Sequence, residues 1–205
     1  MKKDKHLDNA AVRLEYALEN FPVHIKLRDG TEVVLRPVSR RDAIPLHKFL
    51  VTVPEEERLF IKKPVFARPL FREWFRQLDF EENMMLLMLH GRKIIGEATL
   101  RQRPGGWKRH IGVVTVLTHP DYRGRDVAKI LVTEQVAIAR ALGLRKLESE
   151  LNGERKVAIR ALEDLGFHCI MRQEDYVVDM KAVPHDYILM GLDLKVDEEY
   201  AGTGE

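Results

Sequence analysis

The segment Tyr122-Arg123-Gly124-Arg125-Asp126-Val127-Ala128 sets a glycine between two arginines, just ahead of an apolar-periodic run. An extended apolar stretch ends near Leu117 and a helical pattern starts near Asp126, so the segment is the turn between them. The first turn of a helix presents N–H groups without intrahelical acceptors and about half a positive charge. Such a turn binds phosphate. Gly124 lets the backbone approach a ligand or take an unusual conformation, while Arg123 and Arg125 add positive charge. The chemistry on offer is a pyrophosphate held on backbone amides. A plain surface turn with two solvated arginines fits the same residues. Neither the Walker GxxxxGK[ST] pattern nor the Rossmann fingerprint is present.

The elements that must position this turn can be read from periodicity. Residues 4–20 carry Leu7, Ala11, Leu14 and Leu18 at helical spacing; this helix can pack on its own domain, the favoured reading, or against a second chain. Arg28-Asp29-Gly30-Thr31 is a turn between extended pieces at 23–27 and 32–38. Ser39 with Asp42 reads as a near capping box for a helix over 40–51. Pro54 and the acids after it start a second helix, and residues 69–78 form a third with Trp74 and Phe75 as core. Residues 83–90 and 93–101 make a hairpin at Gly91-Arg92, with Met84, Met85 and Met88 as strand core. The apolar run 111–117 predicts a strand buried on both faces. A long helix over 126–142 closes at Gly143, followed by a strand at 146–151, a helix over 154–165 closed by Gly166, and strands at 167–172 and 187–194. This order predicts an α/β fold, a mixed α+β sandwich: one twisted, mostly antiparallel sheet of six to seven strands flanked by helices. The expected division is an N-terminal helical extension (1–24), the main domain (25–195) and a flexible acidic tail (196–205).

Composition narrows the function classes. The chain has 205 residues, a length that suits one domain. Its 34 basic and 32 acidic residues give a net charge of +2, with none of the basic excess that nucleic-acid binding calls for. Cys169 is the only cysteine, which excludes an internal disulfide and a CxxC-type zinc site, and no metal is expected. Cys169 itself reads as a small buried hydrophobe. Nothing resembles a secretory signal, and no run nears the ~18 apolar residues of a membrane span. The expected compartment is the cytoplasm, with no membrane partner.

The motif Thr118-His119-Pro120-Asp121-Tyr122-Arg123-Gly124-Arg125-Asp126-Val127-Ala128 resembles the acetyl-CoA loop of the GNAT superfamily of N-acetyltransferases, (Gln/Arg)-x-x-Gly-x-(Gly/Ala). Arg123 and Ala128 match its ends, and Asp126 stands where the family has glycine. Residues 147–151, Ala158–Leu162 and Leu165-Gly166-Phe167 resemble the strand, helix and "GF" ending that follow, and 185–190 resembles the family's closing strand. The opening Leu27–Val38 with Asp42-Ala43 is similar to bacterial protein-lysine acetyltransferases of the Pat type. The likeness spans roughly residues 30–195.

The resemblance implies a GNAT-like fold and acetyl-CoA as co-substrate, with an amine acceptor: a protein lysine, a terminal amine or a small amine. It implies that Val116, Leu117 and Thr118 meet the donor through the main chain, and that Arg123, Gly124, Arg125, Asp126, Val127 and Ala128 hold its phosphates. Asp126 would bring a carboxylate near an anion, unless its side chain turns away and only its N–H faces the ligand. The family's usual glutamate base maps to Gly112 or Val113 and its tyrosine acid to Leu162, so neither is present. Alternation puts Glu148 and Glu150 on one face of their strand. Glu150, nearest the strand end, is the expected base, with Glu97 and Glu148 as alternates; His110 and His119 read as turn residues. The alternative is a catalytically weak GNAT-fold module that binds or senses acyl-CoA, and a third reading is an interaction protein that forms a homodimer through the N-terminal helix.

Overall fold

The computed structural model describes residues 12–61, 67–103 and 105–194. Helix α1 covers residues 12–18, and Leu14, Ala17 and Leu18 pack on the main core, the favoured expectation for this segment. Leu7 and Ala11 lie outside the described residues, as does the expected tail at 196–205.

Strands β1 (Val23–Lys26) and β2 (Glu32–Pro37) pair around the predicted turn, where Gly30 has φ +84° and the Thr31 N–H donates to Asp29 at 3.0 Å. The Asp42 carboxylate accepts from the Ser39 N–H at 2.7 Å, while Arg36 grips both its oxygens at 2.8 and 2.7 Å. A 3-10 turn (Arg40–Asp42) then feeds α2 (Ala43–Thr52). Short α3 (Glu55–Arg58) and α4 (Arg68–Gln77) follow. The hairpin β3 (Asn83–His90) and β4 (Lys93–Arg101) turns at Gly91. After it come β5 (Ile111–Thr118), α5 (Val127–Ala141), β6 (Lys146–Asn152), α6 (Lys156–Glu163), β7 (His168–Val178) and β8 (Pro184–Asp193).

The sheet runs β1-β2-β3-β4-β5-β6-β8-β7, and among the described residues only the β5–β6 pair is parallel. The mixed α/β class is as expected. Among the described residues the sheet has eight strands rather than six to seven, because the short extended piece of β1, four residues against the usual ~5–6, pairs with β2 as a strand of its own. One core lies between the sheet and α1, α5 and α6, around Leu35, Leu86, Leu100, Leu131 and Leu147. A second, smaller core joins α2 and α4 to β3 and β4 through Leu46, Phe49, Leu50, Phe71, Phe75, Met85 and Leu87. Gly96 permits the close seating of α5, because a Cβ there would lie 2.6 Å from the Val127 side chain and 2.8 Å from that of Leu131.

Two expectations are corrected. Strand β5 is not buried on both faces: Gly112 and Val114 are buried, but Thr115 is exposed. The second core reaches β5 only at Leu117, near the strand end, and leaves Thr115 uncovered among the described residues; an apolar sequence alone does not show where a face lacks a cover. Cys169 is exposed rather than buried, because β7 is an edge strand whose residues are almost all exposed. Among the described residues, no helix is long and apolar enough to cross a membrane.

Candidate functional site

The sheet opens between its two parallel strands. β5 pairs with β4 from Arg101↔Val113 to Gly96↔Thr118 without a register shift. Its pairing with β6 covers only Ile111↔Lys146, Gly112↔Leu147 and Val113↔Glu148. Beyond Val113 the two strands part. The His119 N–H donates to the Ile95 carbonyl of β4 at 2.8 Å. By alternation, the N–H and C=O groups of Val116 and Thr118 face the opposite edge, into the gap. Of the three expected main-chain contacts, Val116 and Thr118 therefore open to the gap, while the Leu117 amide belongs to the β4 ladder. The opening comes from this loss of pairing and not from a bulge against β4. On its far side, the Oδ1 of Asn152 at the end of β6 is buried and has no hydrogen-bond partner among the described residues.

The predicted phosphate turn lies where β5 leaves the gap. Gly124 has φ +73°, with open space around its Cα. Asp126 has φ +64°, the left-handed region that asparagine and aspartate enter more readily than other side-chain-bearing residues. That conformation gives a physical reason for a glycine at this motif position and for the tolerance of aspartate. Asp126 makes no side-chain cap to the helix; its Oδ2 lies 2.5 Å from Arg28 Nε. The first intrahelical bond of α5 runs from the Ile130 N–H to the Asp126 carbonyl, so the N–H groups of Val127, Ala128 and Lys129 have no acceptor within the helix.

The two arginines of the turn are differently engaged. Arg125 lies 2.6 Å from Asp29 and stacks on Tyr122, its guanidinium carbon 5.0 Å from the ring centroid. With the Arg28–Asp126 pair, this makes a crossed double ion pair between the β1–β2 turn and the α5 N-terminus. The Thr31 N–H, with smaller help from Arg125, holds the Asp29 carboxyl below its usual range. Arg123 pairs with Glu57 of α3 at 2.7 Å. Tyr122 anchors the turn, its hydroxyl 2.8 Å from His90 Nδ1 and its ring edge-on to His119. His119 is buried, and its Nδ1 accepts from the Asp121 N–H at 3.2 Å. Burial, with Lys93 and Arg123 nearby, pushes its pKa below the usual value, in keeping with a turn residue that stays neutral.

The face left open by the second core carries the candidate acids and bases. Sheet register puts Glu97, Thr115, Glu148, Glu150 and Tyr187 on this one side. Glu97 is buried, with the Thr99 hydroxyl donating to it at 3.1 Å. Glu148 lies 3.7 Å from Lys108. Glu150 is exposed and accepts a hydrogen bond from the Tyr187 hydroxyl. Burial first, then the charges of Glu150 and Glu148, push the Tyr187 phenol up to about 12. Leu162 is buried in the main core, so α6 offers no acid at that position. Sequence reasoning missed Tyr187, Asn152 and Glu57. Tyr187 and Asn152 face each other across the β6–β8 register, a pairing that no local motif encodes.

Comparison with known proteins agrees with this architecture. Residues 51–167 match the Acetyltransferase (GNAT) family model. The GNAT domain of S. lividans PAT superposes with a TM-score of 0.67 at 21% identity, covering 84% of this chain and 97% of that one. The ribosomal-protein-S5-alanine acetyltransferase of Vibrio fischeri gives 0.71 at 15% identity, covering 84% and 97%. Salmonella typhimurium yncA, solved with its cofactor acetyl-CoA, gives 0.67 at 16% identity, covering 80% and 95%. No curated protein matches the chain in sequence.

Proposed function

Because the chain belongs to the GNAT acetyltransferase family, a family of acyl transferases, we propose that it moves an acetyl group from acetyl-CoA to an amine acceptor: a protein lysine, a terminal amine or a small amine. The observation that carries this reading is the β5–β6 gap, which ends at a helix N-terminus whose amides are open. The pyrophosphate of the donor sits on the amides of Gly124, Arg125, Asp126, Val127 and Ala128, with Arg123 supplying charge. The pantetheine arm, which carries two amides, enters the gap. It finds there the backbone groups of Val116 and Thr118 and the orphan oxygen of Asn152, a buried acceptor that needs a donor.

The acceptor amine approaches from the open face and must be neutral to attack the thioester carbon. Its proton passes to Glu150, directly or through water, with Tyr187 orienting that carboxylate. A backbone N–H of β5 stabilises the charge on the carbonyl oxygen. As the C–S bond breaks, the thiolate takes up a proton and leaves as CoA. We further infer a cytoplasmic location and a catalytic domain over residues 25–195, between an N-terminal helical extension (1–24) and an acidic tail (196–205), with the outer face of α1, where Tyr16 is exposed, available for a homodimer. Positioning contributes much of the rate, roughly 7 kcal/mol or more in well-oriented cases.

A thermal-shift series with CoA and acetyl-CoA tests the donor site, since a ligand of the folded state raises stability by mass action. No shift at millimolar CoA removes the reading. A second reading, an acyl-CoA sensor with little turnover, is favoured by the aliphatic Val113 and Leu162 where the family carries its acid and base. Thiol release that depends on an added amine decides for the enzyme; binding without such release decides for the sensor.

A further inference from the structure

Glu57 joins two arginines from opposite lips of the β5–β6 gap. One of its oxygens lies 2.7 Å from Arg123, in the turn before α5, and the other 3.0 Å from Arg155, the N-cap residue just before α6. The Glu57 side chain is 11% exposed, against 44% for Arg123 and 34% for Arg155. Helix α3 therefore bridges the mouth of the gap through a single carboxylate. Neighbouring contacts hold it there: Glu55 pairs with Lys181 at 2.7 Å, and Phe60 packs edge-on to His185 of β8 at 4.9 Å between ring centres. His185 and Tyr187 lie two residues apart on β8, so Phe60 stands at the border of the open face.

Two guanidinium groups that share one carboxylate repel each other when no anion lies between them. A phosphate brings more charge and more acceptor oxygens than a carboxylate, and it suits the planar forks of two arginines. We propose that Arg123 and Arg155 together clamp a phosphate group of the acyl-CoA, and that Glu57 is an internal anion occupying this clamp until the donor replaces it. The proposal rests on the acyl-CoA reading above. It assigns Arg155 as a phosphate ligand. It also makes α3 a strap whose release follows donor binding and loosens one border of the acceptor face. Glu57 and the phosphate compete for the same nitrogens, so one gain in contact is set against one loss.

Calorimetry with CoA on the full chain tests this. Glu57→Gln removes the competing charge and is expected to tighten CoA binding about fivefold, while Arg155→Gln weakens it about fivefold, the scale of a half-exposed ion pair. If Glu57→Gln binds CoA no tighter, or Arg155→Gln binds it equally well, the clamp is wrong while the acyl-CoA reading stands. A wild-type chain that gives no heat with CoA is a different result and removes both. Hydrogen exchange on the wild-type chain needs no substitution. The Arg58 and Leu59 amides, bonded to the Pro54 and Glu55 carbonyls, should exchange faster once CoA is added. Slower exchange would overturn the release of α3.

Discussion

Arg28 and Asp126 meet at 2.5 Å, joining the β1–β2 turn to the first residue of the α5 cap. The contact turns the Asp126 carboxylate away from the helix amides and leaves them open. Asp126→Gly keeps the left-handed conformation, removes this tie and deletes a negative charge near the phosphates. CoA binding by calorimetry should then be equal or tighter; weaker binding would mean that the ion pair positions the turn more than its charge opposes the ligand. Asp126→Val places a β-branched side chain at φ +64° and should cost about 1–3 kcal/mol of stability.

Gly96 sets how closely α5 lies on the sheet. Gly96→Val puts its branched side chain into the space of Val127 and Leu131. Overpacking of this kind costs about 1–3 kcal/mol. Because Val127 is the first residue of α5, CoA affinity should fall together with the melting temperature. A variant that loses stability and keeps full CoA affinity would separate the seat of α5 from the phosphate site.

Glu150→Gln removes the proposed base without changing its size. The rate of acceptor-dependent thiol release should drop about a hundredfold, and the acid limb of the pH–rate profile should vanish. An unchanged profile removes Glu150 and leaves deprotonation to water. Tyr187→Phe should leave CoA binding intact and lower kcat less than Glu150→Gln does, since its hydroxyl acts through Glu150.

Stability should fall in acid in two separate windows. His119 has its folded pKa lowered by burial and by Lys93 and Arg123, so the unfolded chain binds a proton first. This stability is fully present above the unfolded value of about 6.5 and is lost as pH falls below it towards the folded value. At Asp42, burial pushes the carboxyl up, but Arg36 and the Ser39 N–H and hydroxyl pull it down further, and the net shift is downward. Its stability is present above about 3.9 and is lost as pH falls through the lower folded value. Melting temperatures of His119→Asn should lack the first step. Asp42→Ala should lack the second and lose about 2–4 kcal/mol at neutral pH, because Arg36 is left without its partner.

The features legible in the sequence are those whose causes are local. The β3–β4 hairpin, the Gly143 and Gly166 stops and the phosphate turn were readable because period, glycine and charge lie within a few residues of one another. The open face of β5 was not, since it depends on the α2 and α4 core reaching β5 only at Leu117. Strand β7 runs on to Val178, past the expected end at Arg172; as an exposed edge strand it needs no apolar alternation to continue. Glu57 lies 66 positions from Arg123, and no spacing rule links a short acidic helix to a distant glycine turn. Asp126 was legible as a departure from the family motif, but its partner Arg28 was visible only once the β1–β2 turn was seen to reach the helix.

The three residue pairs between β5 and β6 make the sheet two panels on a short hinge: one of β1 to β5, the other of β6, β8 and β7. The proposed donor, a flexible molecule with amides of its own, would supply in the wedge between the panels the rungs that the protein omits. A donor bound as proposed would act as a transient extra strand, tying the two panels together until it leaves as product.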